Sequence, residues 1–197
     1  ALPLPTNLGG ITITMNGTPA PLFFVSGGQV NLQVPWEVAG QNNATIVASQ
    51  NGVAISQTTV ALAAARPGIF STNAQGTGQG TILIANTADL VAPVDAIPGR
   101  TSRPARRGET ITIFATGLGP VSNRPATGQP GPGGPLALTS TTPLVSIGGQ
   151  PATVSFSGLA PGFVGLYQVN VSVPNNSPQG AAIAVVLTMN GVASNTV

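Results

Sequence analysis

Residue types that perform acid–base or nucleophilic chemistry are nearly absent from this sequence. The chain has no His, no Cys and no Lys, and its four carboxylates are Glu37, Asp89, Asp95 and Glu109. No two carboxylates stand at the spacing of a catalytic pair, and a Ser or Thr nucleophile would have neither His nor Lys as its base. We therefore predict that the protein is not an enzyme and that it has no catalytic residue, no metal site and no cofactor.

The charged residues permit two weaker hypotheses. Asp89 and Asp95 flank a short predicted strand and could join backbone carbonyls around Ca²⁺. The alternative is pairing with the arginines of the next loop, which include Arg103, Arg106 and Arg107. These arginines could in turn bind an anionic sugar or a partner's carboxylate, or they could be ordinary solvated charges.

The aromatic residues favour core packing over a sugar-stacking platform. Tyr167 and the phenylalanines fall mainly on inward positions of predicted strands. Trp36 is the exception because it follows Pro35, which ends a strand. We therefore retain Trp36, with the three arginines, as a candidate polysaccharide contact.

Composition excludes several classes of partner. Only 5% of the residues are charged and the net charge is +2, against about a quarter charged in an average soluble protein. That balance is too weak for nucleic acid or anionic lipid. No apolar run approaches the length of a membrane span. A sequence this apolar and uncharged favours self-association.

The elements that would position any site come from an internal repeat. Gln29–Pro35 (QVNLQVP) returns at Gln168–Pro174 (QVNVSVP), and Asn51-Gly52 returns at Asn190-Gly191 with the same offset. Short alternating strands separated by Asn-Gly and Gly-Gly turns fill the chain. We predict an all-β protein of two tandem immunoglobulin-like β-sandwich domains, at 1–65 and 81–197, joined by a linker at 66–80.

Five motifs carry a family resemblance. They are NGTPAPLFFVS at 16–26, QVNLQVPWE at 29–37, PGIF at 67–70, ATGLGP at 115–120 and GLYQVNV at 165–171. The chain resembles the Solibacter-type uncharacterised C-terminal domain of secreted acidobacterial proteins, and GLGP after a strand is similar to the opening of IPT/TIG-type domains. The resemblance implies an immunoglobulin-like fold and secretion, with the signal peptide already removed. It implies no reaction.

The two repeats look incomplete. The first lacks the strand that Glu109–Thr116 supplies to the second, and the second lacks part of its end. A missing strand leaves an apolar groove that a neighbouring chain could fill by donor-strand complementation. Residues 1–8 or the predicted hairpin at 81–94 could instead fill it within the same chain. Candidate interface residues at the two ends are Leu2, Leu4, Leu8, Val192 and Val197.

These observations support a functional hypothesis and an alternative to it. The first is a structural subunit of an extracellular bacterial filament or surface assembly, whose copies polymerise head to tail by donor-strand or edge-strand pairing. The alternative is a non-catalytic module that anchors a larger secreted protein to polysaccharide or to the cell surface.

Overall fold

The structure is a computed structural model of the chain, and it describes residues 2–197. The chain folds into two compact units. Unit 1 contains the residues up to Ala64 together with two later segments, Asn123–Ala137 and Pro161–Gly165. Unit 2 contains Ala65–Ser122, Leu138–Ala160 and Leu166–Val197.

Unit 1 is built from seven strands and one short 3₁₀ helix. β1 to β7 are Asn7–Leu8, Ile11–Met15, Thr18–Pro19, Leu22–Val25, Val30–Leu32, Asn43–Gln50 and Val53–Ala61, and the helix is Trp36–Val38. One sheet has the order β1-β2-β6-β7, with β3 also paired to β2, and β4 pairs with β5 in a second sheet. All of these pairs are antiparallel.

The core of unit 1 lies between these two sheets. Leu22 of β4 is buried with Ile13 of β2, and Leu32 of β5 and Ile46 of β6 pack against them. The two layers therefore form a small sandwich, which explains why β2 and β6 alternate apolar and polar residues.

Unit 2 contains ten strands. β8 to β17 are Gly68–Ile69, Ile82–Ile84, Leu90–Val91, Ser102–Arg103, Thr110–Thr116, Leu144–Ile147, Gln150–Leu159, Tyr167–Ser172, Val185–Met189 and Val192–Ala193. They follow the order β11-β10-β9-β12-β15-β14-β13-β16-β17, with β8 on β12, and only β10 and β11 pair in parallel.

Burial along β12 and β15 of unit 2 follows the apolar positions of the predicted strands. Ile111, Ile113 and Ala115 of β12 are all buried, as are Val169 and Val171 of the neighbouring β15. The predicted inward apolar positions of these strands are confirmed, although Thr112, on the opposite face of β12, is buried as well. The all-β class and the sandwich-like sheets agree with the sequence, while the finer assignment to tandem immunoglobulin-like domains stays a prediction.

The predicted tight turns are also confirmed. Asn16-Gly17 joins β2 to β3, Asn51-Gly52 joins β6 to β7, and Asn190-Gly191 joins β16 to β17. In each pair both residues have positive φ, between 49° and 83°. That conformation defines the type I′ hairpin, which asparagine and glycine adopt with least strain.

The observed units differ from the predicted domain boundaries. The stretch 66–80, predicted as a linker, belongs to unit 2, where β8 pairs with β12. The Gly/Pro-rich stretch at 121–135 has no strand period, which predicts a long surface loop or an extended segment. In the structure Asn123–Ala137 belongs to unit 1. Unit 1 therefore includes segments that the sequence assigns to the second repeat.

Two details of the predicted strand interior are wrong. Val34 follows Val30 and Leu32 at a period of two, which predicts an inward side chain, yet it is 52% exposed because β5 ends at Leu32. The expectation that the phenylalanines pack in the core fails for four of the six, since these four are 44–60% exposed: Phe23, Phe24, Phe70 and Phe163.

Candidate functional site

The strand β7 is the least covered element of unit 1. It is nine residues long, with the sequence VAISQTTVA, and every residue except Val60 is exposed. The exposed fractions of Val53 and Ile55 are 68% and 58%. Both faces of the strand therefore meet solvent, although it carries no charge and no proline.

The position of β7 makes it an open sheet edge. It pairs with β6 on one side, and no strand in the described part of the chain pairs with its other side. Of the other strands at the ends of the sheets, β1, β11 and β17 have two residues each, and β4 and β5 of the two-stranded sheet have four and three. Natural proteins keep edge strands short or charged because an exposed edge templates pairing with another chain. β7 is neither short nor charged.

The hydrogen-bond phase of β7 identifies the groups that face outward. The backbone N–H of Leu62 donates to the carbonyl of Asn42 over 2.8 Å, so these two residues form a hydrogen-bonded pair just beyond the strand. In an antiparallel ladder such pairs alternate with non-bonded pairs. Ser56, Thr58 and Val60 therefore direct their backbone groups to β6. Gln57, Thr59 and Ala61 direct theirs to the open edge.

A β-bulge divides the strand. Ala48 pairs with Ser56 and Ser49 pairs with Ala54, so Ile55 is the extra residue. Bulges bend and twist an edge, which hinders continued pairing there. The regular part of the open edge therefore runs from Ser56 to Ala61.

The residues near the N-terminus that were predicted as interface contacts belong to unit 1. The N–H of Leu4 donates to the carbonyl of Gly128 over 3.0 Å. Leu8 pairs with Ile11 and packs against the core, whereas Leu2 is 54% exposed. The alternative in which residues 1–8 join their own sheet is thus seen for Asn7–Leu8.

The two predicted interface residues near the C-terminus lie in unit 2. Val192 pairs with Met189 across the β16–β17 hairpin. The backbones of Val197 and Val185 exchange two hydrogen bonds, of 2.9 and 3.3 Å. The backbone groups that a donated strand would use are therefore already engaged within the chain.

The predicted arginine cluster forms an internal network in unit 2. Arg103 forms a bidentate salt bridge with Glu109, with N–O distances of 3.0 and 2.5 Å. The Nε of Arg103 also lies 3.8 Å from Oδ2 of Asp89. The backbone N–H of Arg106 also donates to Glu109 over 2.8 Å. The Arg103 hydrogen bonds, followed by that N–H, lower the pKa of Glu109 to about 2. Asp89 therefore pairs with an arginine, which is the alternative to a calcium site.

Arg107 is also engaged within unit 2. Its guanidinium donates twice to the carbonyl of Ser177, over 3.1 and 2.6 Å. Arg103 and Arg107 therefore stabilise loops through contacts within the chain. The structure does not bring the predicted arginines together around one ligand site. Within residues 2–197 no three His, Cys, Asp or Glu side chains are grouped as metal ligands.

Trp36, the other predicted ligand contact, lies in unit 1 at the start of the 3₁₀ helix. Its backbone N–H donates to the Thr127 hydroxyl over 3.1 Å, and that hydroxyl donates to Glu37 over 2.7 Å. The Arg124 guanidinium carbon lies 6.0 Å from the centroid of the indole ring. The ring is half-buried, and its Nε1–H is buried with no hydrogen-bond partner in the described chain.

Sequence reasoning missed β7 as a site. The Asn51-Gly52 turn predicts an ordinary hairpin whose second strand covers 53–64. One signal was available, since the stretch from Ser56 to Thr59 is wholly polar and breaks the alternation that a half-buried strand requires.

Comparisons of this chain with protein-family models, with curated proteins and with solved structures find no match. The resemblance to the Solibacter-type domain therefore stays a prediction. Within the described residues no helix is long and apolar enough to cross a membrane.

Proposed function

We propose that the protein is a structural subunit of an extracellular bacterial assembly and that copies associate through β7. The observation that carries the proposal is the long, uncharged, unpaired edge of unit 1. Pairing there would satisfy the outward backbone groups of Gln57, Thr59 and Ala61 with those of another chain, as β-augmentation does. Secretion and membership of the Solibacter-type family belong to the same proposal.

The contact is placed at β7 and not at the chain ends. Leu8, Val192 and Val197 already pair inside their own units, so donating them would cost native hydrogen bonds. β7 would lose no bond on pairing. Of the two modes that the sequence leaves open, edge pairing is therefore favoured over donor-strand exchange.

Growth beyond one contact needs a second surface. Phe23 and Phe24 of β4 are 48% and 46% exposed, and they are adjacent in a strand that has only four residues. Exposed aromatic pairs of this kind are enriched in protein–protein interfaces. We assign the second contact of the assembly to this aromatic pair, which would let β7-linked copies extend into a filament or layer.

Sedimentation velocity with negative-stain microscopy over a concentration series tests the proposal. The unaltered chain is expected to self-associate, and Thr59→Lys is expected to remove the β7 contact because it places a charge at the centre of the edge. Only the weaker association through Phe23 and Phe24 should then remain. Thr77→Lys adds the same charge at an exposed loop position of unit 2 and should leave association unchanged. A chain that stays monomeric at all concentrations would overturn the proposal.

The geometry of Trp36 favours a second candidate function, a polysaccharide-anchoring module. The partly exposed indole ring and the neighbouring Arg124 guanidinium are the observations behind it. Retention of the chain on insoluble cellulose or peptidoglycan tests this function, with Trp36→Ala expected to release it. Phe163→Ala, at an exposed aromatic of the same unit, is the matched control. Equal retention of both variants would eliminate the Trp36 site.

A further inference from the structure

We propose that two copies of this chain pair antiparallel through β7 about a two-fold axis at Thr59. This inference rests on the proposed function, and it specifies the partner as an identical strand and fixes its register. In that register Thr59 lies opposite the partner's Thr59. Gln57 then lies opposite the partner's Ala61.

The alternation of backbone groups determines the register. Gln57, Thr59 and Ala61 are the residues of the regular segment that direct N–H and C=O to the open edge. A two-fold axis at Thr59 places each of them opposite another outward-facing residue. Three hydrogen-bonded pairs result, and each exchanges about two hydrogen bonds.

Neighbouring registers form fewer bonds. An axis at Thr58 brings Ala61 opposite Ile55, the bulged residue, so about two regular pairs remain. An axis at Val60 brings Gln57 opposite position 63, beyond the end of β7. The axis at Thr59 is therefore the only one of the three that uses the whole regular edge.

The side chains that face each other in this register are compatible. Thr59 meets Thr59 across the axis, a cross-strand pair whose hydroxyls can exchange a hydrogen bond. Thr58 meets the partner's Val60, so the two β-branched side chains pack. No charge stands anywhere in β7, and hence no like-charge pair opposes the contact.

The symmetry has a consequence for assembly. A two-fold contact is isologous and closes on itself, so β7 pairing alone gives a dimer. The dimer would join the sheets of two copies into one continuous sheet with no long open edge. Larger assemblies would then be built from dimers through a different surface.

Disulfide trapping tests the register, and the chain is suited to it because it contains no cysteine. Directly opposite residues in a hydrogen-bonded pair have Cα atoms about 5.5 Å apart, inside the range of about 4.4–6.8 Å that a disulfide spans. Thr59→Cys should therefore shift from monomer to covalent dimer on a non-reducing gel under mild oxidation. Thr58→Cys alone should not, since its nearest copy is diagonal at about 7–8 Å.

The doubly substituted Thr58→Cys, Val60→Cys chain should also form a covalent dimer, because Thr58 of one copy lies opposite Val60 of the other. Thr77→Cys, in an exposed loop, measures random collision. Trapping at Thr59 and in the double variant, above the Thr77 level, supports the register. Trapping by Gln57→Cys or Thr58→Cys alone would overturn the register but leave β7 pairing intact. Association without trapping at any β7 position would overturn both, as would a monomeric parent chain.

Discussion

The side-chain Oε1 of Gln33 accepts a hydrogen bond from the backbone N–H of Gly128 over 2.7 Å, across 95 positions of the chain and away from solvent. Gln33 is only 7% exposed. Because Leu4 also donates to the carbonyl of Gly128, both backbone groups of this glycine are used. The segment Asn123–Ala137 is thereby fastened into unit 1.

Removing that amide should destabilise unit 1. Gln33→Ala leaves the N–H of Gly128 buried without a partner and opens a cavity, which together cost about 2–4 kcal/mol. Urea unfolding followed by Trp36 fluorescence reports on this unit, since the chain has one tryptophan. Gln50→Ala, an exposed glutamine of β6 in the same unit, is the control and should change the unfolding free energy by less than about 0.5 kcal/mol. Equal effects would contradict the fastening role.

Gly117 should tolerate no side chain. Its φ is +72°, and a Cβ there would lie 2.0 Å from the backbone oxygen of Arg66. Arg66 and Gly117 are also joined by a 2.8 Å backbone hydrogen bond, so neither can move aside. Gly117→Ala should destabilise the fold by at least about 2 kcal/mol in thermal or urea unfolding. Gly133→Ala, with open space around the new Cβ, should be nearly neutral, and a neutral Gly117→Ala would refute the close approach.

Glu109 should make stability depend on pH in the acid range. Its pKa falls from 4.5 to about 2 in the folded state because Arg103 and the Arg106 N–H bind the carboxylate. A lowered folded pKa means that the stabilisation is complete above pH 4.5 and disappears as the pH falls through 2. Glu109→Gln should lower the melting temperature at pH 7 and flatten its decline between pH 5 and 2. Asp95→Asn is the isosteric control, and an unchanged decline in Glu109→Gln would count against the network.

Tyr167 should make stability depend on pH in the alkaline range. Its hydroxyl donates to the carbonyl of Gly119, and burial raises its pKa to about 12 from 10. A raised folded pKa means that its contribution is complete below pH 10 and is lost as the pH rises through 12. Because the chain has one tyrosine, phenolate absorbance titrates this residue alone. A midpoint near 10 in the folded protein would contradict the burial.

Tyr167→Phe separates the hydrogen bond from the packing of the ring. The variant keeps the ring but leaves the Gly119 carbonyl without its donor, which costs about 1–2 kcal/mol. It should also lose the alkaline decline in melting temperature. A variant as stable as the parent chain would show that Gly119 finds another partner.

Local patterns predicted the local structure well. Asn51-Gly52 and Asn190-Gly191 determine their own turn, since positive φ is a property of those residues. The alternation of Ile111 and Ile113 likewise predicts a strand with an apolar inner face, although Thr112 on the other face is buried too. These features depend on residues a few positions apart, which is why the sequence alone specifies them.

Contacts between distant segments were not predictable in the same way. Gln33 stands where the second repeat has Ser172, so the difference was visible, but nothing in the sequence pointed to Gly128 as its partner. The sequence also could not predict that β7 lies at an open edge of its sheet. A strand such as β7 reveals its position in a sheet only through the neighbours it has or lacks, and these are set by topology.

Amide hydrogen exchange in β7, compared between dilute and associated protein, tests the central claim most directly. Ser56, Thr58 and Val60 donate to β6, so their amides should be protected in both states. Gln57, Thr59 and Ala61 face the open edge and should exchange rapidly in dilute protein, then become protected on association. Rapid exchange of those three amides in the associated protein would contradict pairing through β7.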